Sequence, residues 1–112
     1  MTKSYKEDVA AVDKRVGALF KAAPKTMTPY SQLVKAASAD GALDSKVKEL
    51  MALSISVAIR CDDCIVFHLR AALNHGASRE EVIETISVAI EMGGGPSVVY
   101  GGRAFAALEE LS

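Results

Sequence analysis

Spacing is the feature that most restricts what this chain can fold into. Apolar residues return every three to four positions along nearly its whole length, and no segment sustains the two-residue alternation of a strand. Val9, Val12, Val16, Leu19 and Phe20 make one such stripe, which ends before Pro24. Thr28 followed by Pro29 predicts an N-cap with proline at the first helical position. Tyr30, Leu33, Val34 and Ala37 supply the face of that second helix, with Gly41 as its C-terminal cap. A third helix is expected to start near Asp44 or Ser45. Its stretch from Leu50 to Ile59 is uncharged and apolar nearly all round, so it should lie centrally, packed on several sides. Cys61 to His75 predicts a fourth helix closed by Gly76. Ser78 and Glu81 form a capping box for a fifth, buried through Val82, Ile83, Ile86 and Ile90. Gly93-Gly94-Gly95 breaks the chain, Pro96 restarts it, and Val98, Phe105, Leu108 and Leu111 line a sixth. Met51 and Met92 read as core fillers, and Gly101-Gly102 as a place where helices approach closely. The expectation is an all-α, single-domain bundle of about six helices over residues 1–112.

Size and charge narrow the function. A chain of 112 residues has room for one core, burying about two-thirds of its unfolded surface. Thirteen basic and fourteen acidic residues leave a formal charge of −1, with no basic stripe, so nucleic acid is not an expected partner. The apolar run from Leu50 to Ile59 is too short to cross about 30 Å of hydrocarbon, and MTKSYKEDVAAVDKR lacks the apolar core of an export signal. No membrane partner is expected, and the expected location is the cytoplasm. Gly93 to Gly95 resembles a phosphate loop only superficially. No Gly-Lys-Ser/Thr follows it and no strand precedes it, so it reads as a turn.

Chemistry concentrates in Cys61-Asp62-Asp63-Cys64-Ile65-Val66-Phe67-His68. If helix extends through Cys61, both thiols and the imidazole share one face, with His68 one turn beyond Cys64. Two cysteines three apart can close a disulfide at a helix start, where the positive end of the dipole also favours thiolate. Asp62 and Asp63 oppose that effect by like charge. Arg60 and Arg70 flank the pair and are candidates for attracting an anion or stabilising thiolate, although solvated arginine at helix ends is the commoner case. Three readings of the segment stay open: a redox dithiol, a metal site, or two packed thiols beside a core histidine. For a metal, His75 is the obvious fourth ligand, but it lies about 16 Å past Cys64 along a straight helix. Glu49 is the other candidate. If the third and fourth helices form a hairpin turning near residue 60, Glu49 comes within about one turn of His68 and can orient its ring.

The pattern Glu49, Cys61, Cys64, His68 resembles the carboxymuconolactone decarboxylase / alkylhydroperoxidase D-like family, in its cysteine-bearing branch. Leu43-Asp44-Ser45-Lys46, Gly76-Ala77-Ser78 with Glu80-Glu81, and Met92-Gly93-Gly94-Gly95-Pro96 extend the resemblance over about residues 15 to 110. It implies an all-helical subunit that assembles into trimers or hexamers, with sites near subunit contacts. It implies a peroxidase or disulfide reductase needing no cofactor and no metal. Cys64 would be the nucleophile, Cys61 the resolving thiol, and Glu49 with His68 the proton relay. The substrate implied is a small hydroperoxide or disulfide, and the electron donor a dithiol, from a lipoylated or thioredoxin-like protein. One position departs from the pattern: Asp63 stands where a histidine often precedes the second cysteine, which should raise the thiol pKa. Lactone decarboxylation, the family's other activity, is the alternative enzyme reading. A helical metal-binding or interaction module is the non-enzymatic one.

Overall fold

The computed structural model describes residues 4–112, and within them the chain is six helices and their turns. They are α1 (Tyr5–Ala22), α2 (Pro24–Ser38), α3 (Ser45–Ala58), α4 (Asp62–Asn74), α5 (Arg79–Gly93) and α6 (Gly95–Leu111). The starts follow local chemistry. Ser4 accepts from the Glu7 N–H, Asp44 from the Val47 N–H, and Ser78 with Glu81 closes the expected capping box. The ends follow backbone geometry: Gly76 and Gly94 sit at φ 90° and 70°, which only glycine adopts cheaply.

Two expected boundaries are corrected. α2 begins at Pro24, not after Thr28, because Pro24 takes the first helical position and leaves Pro29 inside the helix. Pro29 removes one backbone bond close to the helix start, on an exposed element where the loss is tolerable. Gly41 does not cap α2, which ends at Ser38. There the Ser38 carbonyl accepts from the Ser45 hydroxyl, and Gly41 lies in the following bend with its N–H on the Leu43 carbonyl.

The core sits where α3 and α4 pair as a hairpin and α5 and α6 pack across them. Leu53 and Val57 of α3 meet Ile65, Val66, Leu69 and Ala72 of α4, Val82, Ile86 and Ala89 of α5, and Ala104, Ala107 and Leu108 of α6. Fully burying each of the large side chains contributes about 1.5–3 kcal/mol. α3 packs against α4, α5 and α6 as expected, but not on every side: Met51, Ile55 and Ile59 form an open stripe. The methionines are therefore not core fillers, and Met92 is 78% exposed. On α5, Ala89 replaces the exposed Ile83 in the buried face. On α6, small residues face inward while Val98 and Phe105 face out. Small residues win on α6 because Gly101 lies against α5: a Cβ there would stand 2.9 Å from Ile86 Cγ2. Along α1 only Tyr5 and Val9 are buried, so the apolar stripe read there is open from Val16 onward.

Candidate functional site

Arg60, at φ 61°, turns the chain between α3 and α4, and the two helices run back along each other. That hairpin brings together the acid and the imidazole expected to meet. The Glu49 carboxylate, buried on α3, lies 2.7 Å through Oε2 from Nδ1 of His68 on α4. A hydrogen bond at Nδ1 fixes the ring: with Glu49 ionised, Nδ1 carries the proton and Nε2 presents its lone pair. The His68 side chain is 27% exposed, against 12% for its carboxylate partner. Phe67 packs edge-on against the ring, centroids 5.2 Å apart.

One turn back along α4, Cys61 and Cys64 are joined as a disulfide, with Cα atoms 5.2 Å apart. The helix does not extend through Cys61. That residue is the N-cap, in extended conformation, and its sulfur accepts from the Cys64 N–H at 3.3 Å. Sulfur thus takes the place that a serine or aspartate oxygen takes at other caps, and the turned-back side chain brings the two sulfurs within bonding reach. Both cysteines are half-buried, at the positive end of the α4 dipole. Among the described residues, His68 makes no hydrogen bond to either sulfur.

Of the two arginines that flank the pair, neither is turned to the aspartates between the cysteines. Arg70 pairs with Asp13 of α1 and lies over Phe67, and Arg60 is an exposed turn residue. The cations at the dithiol come from other helices. Arg15 of α1 lies 3.5 Å from Asp63, and Arg103 of α6 lies 3.9 Å from Asp62. The Arg103 guanidinium also stacks 4.4 Å over the Tyr100 ring, one turn back on its own helix. The Tyr100–Arg103 spacing is a readable signal for that stacking, but nothing in the sequence aims it at Asp62. His75 caps the far end of α4. Among the described residues, no three His, Cys, Asp or Glu side chains are grouped to hold a metal ion.

The imidazole bonded to a buried carboxylate and the cysteine pair joined as a disulfide both lie within the stretch that comparison with known proteins places in a family. Residues 22–110 match the carboxymuconolactone decarboxylase family. The chain belongs to it. An uncharacterised protein of Cupriavidus necator is 40% identical over 112 residues, covering 100% of this chain and 99% of its own. A carboxymuconolactone decarboxylase family protein of Legionella pneumophila, solved in its apo form, superposes with a TM-score of 0.93 at 41% identity, covering 96% of each chain. A Thermotoga maritima member, suggested to act in an antioxidative response, superposes at 0.72 and is 41% identical over 76% of this chain and 88% of its own. The all-α architecture is that of the carboxymuconolactone decarboxylase family. No helix of the described residues is long and apolar enough to cross a membrane.

Proposed function

We propose that this carboxymuconolactone decarboxylase family member is a dithiol peroxidase or disulfide reductase. The Cys64 thiolate attacks the terminal oxygen of a small hydroperoxide, forming Cys64 sulfenic acid and breaking the O–O bond. The alkoxide leaves with a proton delivered from His68, which had taken the Cys64 proton at Nε2 while Glu49 steadied the imidazolium. Cys61 then attacks the sulfenic sulfur, forming the disulfide and releasing water. An external dithiol, carried by a lipoylated or thioredoxin-like protein, returns two electrons by exchange and is itself oxidised to a disulfide. The observation that carries this reading is the 2.7 Å Glu49–His68 bond one turn from a cysteine pair able to close on itself. The suggested antioxidative role of the Thermotoga maritima relative agrees with it. We further propose that the protein works as a homo-oligomer, a trimer or a hexamer.

Single-turnover mixing of the reduced protein with hydroperoxide tests the mechanism. Cys64→Ser is expected to abolish peroxide consumption. Glu49→Gln, which keeps a hydrogen-bond acceptor for His68, is expected to slow it roughly 10- to 100-fold without unfolding the protein. Cys61→Ser is expected to retain the first oxidation but stall before the disulfide. Equal rates in wild type, Cys64→Ser and Glu49→Gln would overturn the mechanism. Turnover of a lactone substrate that survives loss of both cysteines would favour decarboxylation instead.

A further inference from the structure

The two residues enclosed by the cysteines are both acidic, and each is met by an arginine from a different helix. Asp62 and Asp63 occupy the first turn of α4, two and one positions before Cys64. Left alone, two carboxylates there would hold a neighbouring thiol protonated and cancel the advantage of the helix N-terminus. They are not left alone. Arg103 reaches across from α6 to Asp62, the less exposed of the pair, with its guanidinium laid on Tyr100. Arg15 reaches from α1 to Asp63. Stacking on Tyr100 limits the freedom of Arg103, so less ordering cost opposes that pair than is usual for a surface ion pair.

We infer that Arg15 and Arg103 are positioning residues that set the acidity of the Cys64 thiol by neutralising the carboxylates enclosed in its own motif. Each acts through the aspartate it holds. The charged groups around the motif are Asp62 and Asp63 on α4, Arg15 from α1 and Arg103 from α6, with Asp8 and Asp13 of α1 lining the same pocket as Asp63, Arg60 in the turn before Cys61, and the titratable His68 one turn further along α4. The arrangement gives two acidic residues in the motif a role. They fix α1 and α6 to the start of α4, while the arginines remove the electrostatic penalty those carboxylates would otherwise impose on the thiolate. The inference deepens the peroxidase reading and rests on it, since thiol acidity matters only if Cys64 reacts as thiolate.

The test reads acidity apart from turnover. The fully reduced protein is alkylated with iodoacetamide across a pH series at low salt, and the pH dependence of the rate gives the thiol pKa. Arg15→Gln/Arg103→Gln is expected to raise that value by about half a unit, roughly a threefold loss of thiolate near neutral pH. Restoring neutrality with Asp62→Asn/Asp63→Asn in the same background is expected to return it to the wild-type position. On its own, Asp62→Asn/Asp63→Asn is expected to lower it, which keeps the inference testable if loss of both arginines unfolds the protein. A pKa unchanged by the aspartate pair, or a rise in the arginine variant that neutralising the aspartates does not reverse, would overturn it. Failure of the peroxidase reading has a different signature: normal charge-dependent thiol titration with no peroxide consumption by the wild type.

Discussion

Gly101 and Gly102 are neighbours on α6 with opposite requirements, and the difference comes from what each would meet. A Cβ at Gly101 would stand 2.9 Å from Ile86 Cγ2 and 3.3 Å from Ile90 Cδ1. Ile86 is β-branched and stiff, so its methyl cannot swing away cheaply. At Gly102 a Cβ would meet nothing within 4 Å. Alanine is worth up to about 1 kcal/mol over glycine inside a helix, and overpacking costs about 1–3 kcal/mol. Gly101→Ala is therefore expected to destabilise by about 1 kcal/mol and Gly102→Ala to stabilise by about 0.5–1 kcal/mol, read from urea midpoints of the two variants. A stabilised Gly101→Ala would mean that α5 and α6 can part at no cost. The sequence marked this pair for close packing but could not say which member makes the contact. Glu49 and His68 were more legible, because a hairpin with a known turning point fixes which residues stand opposite. Arg15 and Arg103 were not, because their partners lie on helices distant in sequence, and only tertiary packing sets that distance. The exposed methionines misled for the same reason: spacing identifies an apolar face but not what covers it.

At the scale of elements, α1 is held by its N-terminus more than by its length. Beyond Tyr5 and Val9 it buries little, but its N-terminus is clasped by the last turn of α6. The Glu110 carboxylate accepts from the Tyr5 N–H at 2.9 Å, from the Lys6 N–H at 3.4 Å and from the Ser4 hydroxyl at 3.4 Å. The Tyr5 N–H above all, with the Lys6 and Ser4 bonds adding, holds the Glu110 carboxyl below its ordinary value of 4.5. A carboxyl lowered on folding contributes stability that is fully present above its unfolded value and lost as pH falls through the folded one. The clasp is thus expected to be intact at neutral pH and to weaken below about pH 4.5, freeing α1 and with it Arg15. The protection factors of the α1 amides, taken against the intrinsic exchange rate at each pH, should fall on acidification in the wild type. In Glu110→Gln they should already be lowered at pH 7 and change less with acid. Equal protection in the two proteins at every pH would show that Tyr5 and Val9 dock the helix unaided. The six helices themselves were readable from spacing and caps. The start of α2 was not, because two prolines compete for the first position and sequence gives no ranking between them.

For the whole molecule, the decisive quantity is surface. The chain exposes 7046 Å², about 1,100 Å² more than the roughly 5,900 Å² expected of a compact monomer of this mass. A stable interface buries about 800 Å² on each partner, so the excess is of the size one contact removes. Its composition points the same way. α2 buries none of its residues and leaves Leu33 63% exposed, while Val16 and Leu19 of α1, Met51 and Ile55 of α3 and Ile59 just past its end are open as well. A monomer that displayed these faces to water would associate without specificity. A second copy, with the same complement of apolar faces, can cover them by symmetry. Sedimentation at micromolar concentration is therefore expected to give a mass several times the 11.8 kDa protomer. Leu33→Glu and Ile55→Glu place a charge on α2 and on the open stripe of α3. At least one is expected to lower the assembly mass while helicity is retained, since neither side chain belongs to the core of the single chain. Wild-type protein sedimenting as one protomer would remove the homo-oligomer proposal. It would leave the Glu49–His68 bond and the Cys61–Cys64 disulfide as they stand, since both form within one chain.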